Sequence, residues 1–129
     1  MNKILVEVSV GELLDKISIL EIKKLKISDE ESLKFIEKEY LVLKEQLDHN
    51  IKSDNKINEL FRSLKDINLK LWNIEDKKRM CEKNSDFGDE FIKFSRDIHF
   101  LNDERSKVKL EINKYTNSKI REIKMYTNY

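Results

Sequence analysis

From Leu13 to Tyr115 the apolar side chains return every three or four residues, whereas the residues before that stretch alternate in twos. The longer spacing is that of an α-helix with one greasy stripe; the shorter is that of a β-strand. Ile4, Val6, Val8 and Val10 alternate with Leu5, Glu7 and Ser9, which predicts a short strand over about 3–8. A single strand leaves its backbone groups unpaired and so needs a partner. Residues 120–126, or the same strand of a second copy, are the candidates.

Ser9 stands three residues before Glu12, a capping-box spacing, so a helix is expected over about 10–27. Leu13, Ile17, Leu20 and Ile27 form one face of it, Leu14 and Leu25 lie beside that face, and Ile19 and Ile22 lie nearly opposite. So broad an apolar arc implies contacts on more than one side, and makes this helix the pillar on which the others lean. Ser28 and Glu31 repeat the capping spacing, and Leu33, Ile36, Tyr40, Leu43 and Leu47 mark a second helix over about 29–48. Ser53 or Asp54 caps a third, about 54–83, with Ile57, Leu60, Leu64, Ile67, Leu71, Ile74, Lys78 and Cys81 along its seam. Residues 84–88 are the clearest loop. A fourth helix, about 88–117, carries Phe91, Phe94, Ile98, Leu101, Arg105, Val108, Ile112 and Tyr115, and a tail follows from 118 to 129.

Two seams of matching length flanking a short loop predict an antiparallel helical hairpin, with Ile74 near Ile98, Leu71 near Leu101 and Ile67 near Arg105. The expected fold is therefore all-α: an antiparallel bundle built on that hairpin, with a short N-terminal strand, as one domain over 1–129.

Composition narrows the setting. Charged residues make up 40% of the chain, Pro is absent and Gly occurs only at 11 and 88, as in long solvated helices. A net charge of +1 with signs interspersed argues against nucleic acid and against a charged membrane surface. Cys81 is the single cysteine, which fits a reduced, cytoplasmic setting. No run is apolar and long enough to span a bilayer, and the opening apolar stretch, cut by Glu7 and Gly11, is too short for a secretory signal.

Charge also sits on the seams. Arg105 and Lys78 occupy places where their neighbours are Leu, Ile or Phe, and a buried cation needs a carboxylate or a path to water. Such a residue more often snorkels at the bundle edge; if Arg105 is instead paired, Glu21, on the apolar arc of the first helix, is the partner to expect. Beside the seams, Phe61, Asn68, Trp72, Glu75 and Arg79 share a flank of the third helix, and Ser95, His99, Asn102 and Ser106 share one of the fourth. Hairpin pairing sets Trp72 and Glu75 level with His99 and Asn102, a reasonable small-ligand or partner surface. The competing reading is that Trp72 fills a helix joint and the polar groups cap its rim. No metal is implied, because Arg96 rather than Glu precedes His99 by three. Glu12-x-x-Asp15 and Glu45-x-x-Asp48 read as solvated carboxylate pairs. There is no Gly-rich phosphate loop and no cofactor motif, and Cys81 reads as a buried small hydrophobe.

Three segments carry a resemblance: Val8 to Lys23, Leu71-Trp72-Asn73-Ile74-Glu75-Asp76, and Leu101-Asn102-Asp103-Glu104-Arg105 followed by Lys109-Leu110-Glu111-Ile112-Asn113. Together the chain resembles a family of small bacterial and phage proteins classed as a domain of unknown function. The resemblance implies one intact small domain, brings no ligand or catalytic residue with it, and marks Glu12, Asp15, Glu21, Trp72, Glu75, Asp76, Asn102, Asp103 and Arg105 as positions matching the family pattern. Some members lie near glycosyltransferase and surface-polysaccharide genes.

With no catalytic constellation assembled, the leading expectation is a non-catalytic module that binds a protein partner or a second copy of itself. The alternative is binding of a phosphate- or sugar-linked small molecule, or an enzyme accessory role, on the flank of Trp72, Glu75, Arg79, His99 and Asn102, with Glu75 or His99 as base and Arg79 on an anion.

Overall fold

A computed structural model describes residues 2–129 as four helices, α1 Val10–Lys26, α2 Glu30–Asn50, α3 Asn55–Lys83 and α4 Asp89–Tyr115. Each begins where a short polar side chain or a glycine releases the chain from extended backbone. Ser9 accepts from the Glu12 amide at 3.0 Å, although the Glu12 carboxylate turns to lysines rather than closing the box. Asp29, not Ser28, caps α2 through the Ser32 amide, and Asp54 caps α3 through the Ile57 amide. Gly88 precedes α4 without a side-chain cap.

The helices end as deliberately as they begin. After α3, Ser85 takes a left-handed φ of 53°, and the Asp86 amide reaches back to the Cys81 carbonyl at 2.8 Å. After α4, Asn117 does the same at φ 53°, and the Ser118 amide bonds the Asn113 carbonyl at 2.8 Å. Both are Schellman closures, which satisfy the last carbonyls and fix the direction in which the chain leaves.

α3 and α4 form the expected antiparallel hairpin, α1 lies against α2, α3 and α4, and the backbone of α2 meets α1 alone. Leu14, Ile57, Leu60, Leu64 and Ile112 make the central cluster, with Val10, Leu47, Phe61 and Val108 packed on it. Leu14, Ile17, Leu20 and Ile22 of α1 are all at most 3% exposed. Fully burying a Leu or Ile side chain contributes about 1.5–3 kcal/mol, so these side chains, with Ile57, Leu60, Leu64, Ile67 and Leu71 of α3, carry most of the core. α2 rests on α1 through Ile36 and through ion and aromatic contacts: Lys24 pairs with Glu37 at 3.2 Å and sits 3.9 Å over the Tyr40 ring.

Among the described residues there is no strand, which corrects the expectation for 3–8. Residues 2–8 are exposed, with Ile4, Leu5 and Val6 between 75% and 84%. The physical reason is pairing: a lone segment gains no ladder, and residues 120–126 run along α4 rather than beside it. No helix is long and apolar enough to cross a membrane among the described residues.

Candidate functional site

The polar centre of the molecule lies where α1 crosses α3 and α4. Gly11, Asp15, Ser18 and Ile22 fall on one face of α1, and all four are buried. Gly11 is there because nothing larger fits: a Cβ at this position would stand 2.6 Å from the Lys109 carbonyl oxygen and 3.0 Å from Asn113 Oδ1. That close approach lets Asn113 Oδ1 accept the Gly11 amide at 2.7 Å, which satisfies a free donor of the helix start. The Ser118 hydroxyl takes the Val10 amide at 3.2 Å.

One turn further along, Asp15 is 1% exposed and fully engaged. Arg105 forks onto it, Nε donating to Oδ1 at 3.0 Å and Nη2 to Oδ2. Asn68 of α3 donates through Nδ2 to Asp15 Oδ1 and to Ser18 Oγ, each at 2.8 Å, and the Ser18 hydroxyl donates to the Asp15 carbonyl. Lys109 stands 3.6 Å from Asp15, 2.6 Å from Glu12 and 3.4 Å from Glu122. Burial alone would push the Asp15 carboxyl up, but the hydrogen bonds from Arg105 and Asn68 and the charges of Arg105 and Lys109 hold it below the ordinary carboxylate value. Arg105 is raised in return, chiefly by its hydrogen bond to Asp15.

This network corrects one sequence-based pairing. Arg105 does meet a carboxylate, but it is Asp15 and not Glu21. Glu21 lies on another joint, where it takes Lys65 of α3 at 2.8 Å and the Tyr40 hydroxyl of α2 at 3.3 Å. Lys78, the other seam cation, snorkels to lie 5.2 Å over the Phe91 ring.

Beside the network opens a cleft of about 460 Å³ lined by Glu12, His99, Asn102, Arg105, Lys109 and Tyr126, among others. Glu75 and Arg79 line a different groove of about 420 Å³ with Lys78, Glu82, Phe91 and Ile98. The flank of Trp72, Glu75, Arg79, His99 and Asn102 is therefore divided between two concavities: His99 and Asn102 share the first, Glu75 and Arg79 share the second, and the half-buried Trp72 lines neither. A wider hollow of about 680 Å³ follows the start of α2 but is lined by that helix's own side chains, with no convergence from a second element.

One metal-ligand cluster occurs among the described residues: Cys81, Asp86 and Glu90 offer ligand atoms within 4.8 Å of one another. Burial, then the charges of Asp86 and Glu90, push the Cys81 thiol up, which favours a protonated, inert thiol.

Asp15, Ser18, Lys109 and Asn113 were not singled out as buried partners by the sequence. A signal was present in the row Gly11, Asp15, Ser18 and Ile22, whose spacing is that of one helix face with small residues where a neighbour approaches closely. The residues that carry this joint fall inside a recognised block: residues 4–129 match the profile of a family described as a family of unknown function (DUF6165). The chain belongs to that family. No curated protein and no solved structure matches it. Membership thus covers all four helices and both flanking segments, and assigns no activity to either cleft.

Proposed function

We propose that this chain is a non-catalytic, cytoplasmic interaction module that associates with itself or docks a protein partner through its N-terminal segment. The observation that carries the reading is the state of residues 2–8. Their alternating, β-branched pattern suits a strand, yet Ile4, Leu5 and Val6 lie open to solvent and no backbone bond joins 2–8 to another segment among the described residues. Such a segment offers both main-chain groups and apolar side chains for strand addition. Its position directly before the rigid cap at Ser9 holds it at the end of the pillar helix. The outer face of α2 adds exposed Phe35, Leu41 and Val42. Gel filtration with light scattering is the test. The full chain is expected to run as a dimer or larger species, or to capture a partner in pull-downs, and an Ile4→Asn, Val6→Asn variant is expected to lose that association with helix content unchanged. A strict monomer without a partner contradicts the reading.

A second reading is favoured by the α4 cleft, where donors and acceptors alternate: His99, Asn102, Ser106 and Tyr126 beside Arg105, Lys109, Glu12 and Asp103. Carboxylates that already ring Lys109 suit a hydroxyl-rich, sugar-linked ligand better than a free dianion. A thermal-shift panel of sugars and sugar phosphates, repeated on Asn102→Ala, separates this reading from the first.

A further inference from the structure

The C-terminal segment does not leave the bundle. The closure at Asn117 turns it back, Ser118 is tied to the start of α1, and the chain then runs down α4 in the opposite direction. Its contacts fall in register: Glu122 on Lys109 at 3.4 Å, the Tyr126 hydroxyl on Ser106 at 3.4 Å, and the Tyr129 hydroxyl on Asp103. The Tyr129 ring lies 5.0 Å from His99 and 5.5 Å from Phe100. Glu122, Lys124 and Tyr126 form one wall of the α4 cleft whose other walls come from α1 and α4.

We infer that residues 118–129 are a displaceable latch, seated in a groove of α4 that accepts an extended peptide carrying one carboxylate and two tyrosines spaced as in this segment. Three features support this. The segment binds through one anionic anchor and two tyrosines spaced four and three residues apart, facing α4 positions spaced three apart. It buries almost nothing beyond Ser118: Ile123, Met125 and Tyr129 are 79%, 97% and 71% exposed, so no apolar core locks it down. Its anchor is shared, because Glu122 also pairs with Lys124 of the segment itself. The surface beneath is, by contrast, rigid. Lys109 has a side chain only 13% exposed and is held by Glu12 and Asp15 whether or not Glu122 is present. A fixed cation beside half-buried Ser106 and Asp103, under a loosely held strap, is a preformed seat with a removable occupant. This inference does not depend on the N-terminal segment.

The test uses the full chain and a variant with the latch weakened, Glu122→Gln, Tyr126→Ala, Tyr129→Ala. The probe is a fluorescent synthetic peptide of residues 119–129. A tethered occupant competes at roughly millimolar effective concentration. The peptide is therefore expected to bind the variant about tenfold or more tightly than the unaltered chain, because apparent affinity falls with the fraction of empty grooves. Added salt, or a Glu122→Gln change in the peptide, should weaken that binding. In parallel, amine labelling of Lys109 read by mass spectrometry should rise several-fold in the variant while that of Lys65, paired on the far joint, stays constant. A peptide titration that is flat on both proteins, a Lys109 rate that does not change, or an equal rise at Lys65 overturns the proposal.

Discussion

Replacing Arg105 by Met would leave the Asp15 carboxylate in a site 1% exposed, with Asn68 and the more distant Lys109 as its remaining partners. Breaking one side of a buried pair typically costs about 3–5 kcal/mol, because the other charge stays buried. With Lys109 only 3.6 Å away, Arg105→Met is expected near the lower end of that range in urea unfolding, and Arg105→Lys to recover part of it, since lysine keeps the charge but not the fork. The same carboxylate sets an acid limit. Its folded-state value lies below the unfolded one, so its contribution is complete above the unfolded value near pH ~3.9 and is lost as pH falls through the lowered value. Unfolding free energy should therefore drop below about pH 4 in the native chain, and drop less steeply in Asp15→Asn, which starts lower. At Gly11 two effects oppose. Alanine improves helix propensity by about 1 kcal/mol, but overpacking costs about 1–3 kcal/mol, and the obstacle is the Lys109 backbone, which cannot swing away. Gly11→Ala is expected to be a net loss of up to about 2 kcal/mol by the same measurement. That Arg105 needs a carboxylate or a path to water was legible in the sequence from its place on a seam. Which carboxylate was not, because the Glu12-x-x-Asp15 spacing is shared by solvated helix faces, and it is the packing of α3 and α4 on this face of α1 that buries Asp15.

At the level of elements, the helices were legible because caps and periodicity agree. Ser9, Asp54 and the turn at residues 84–88 stand where apolar spacing starts or stops. The N-terminal strand was misread because a period of two records only what a segment is suited to. Whether a ladder forms depends on an edge to pair with, and this chain supplies none for residues 2–8. The flank of Trp72, Glu75, Arg79, His99 and Asn102 failed to converge for a related reason. Level along a hairpin is readable from the loop outward, but the rotation of each helix about its own axis is set by packing, and here it sends Glu75 and His99 into separate grooves. The turn after α3 makes its own prediction. Ser85 holds a left-handed backbone that costs an L-residue about 1–2 kcal/mol and glycine almost nothing. Ser85→Gly is expected to raise Tm by a few degrees in calorimetry, without altering the cleft residues on α4.

In the whole molecule, α1 is the element shared by every other, and it is joined to them in two chemically different ways. Leu14, Ile17, Leu20 and Ile22 supply apolar burial, while Asp15, Ser18 and Gly11 supply a polar lock that admits one register against α3 and α4. α2 leans on α1 mainly through Ile36 and half-exposed ion pairs, and surface pairs of that kind contribute about 0–1 kcal/mol each. Stability should therefore be graded, with the helices at the Asp15 joint opening last and α2 and the C-terminal segment opening first. Native-state hydrogen exchange in low urea reads this gradient directly. The amides of α1 between Leu14 and Ile22 are expected to exchange only with global unfolding, at the same free energy as those around Leu64 and Ile112, while α2 and residues 118–129 exchange through cheaper local openings. If the α1 amides open before those of α2, at a free energy well below that of the α3–α4 hairpin, α1 is not what holds the bundle together.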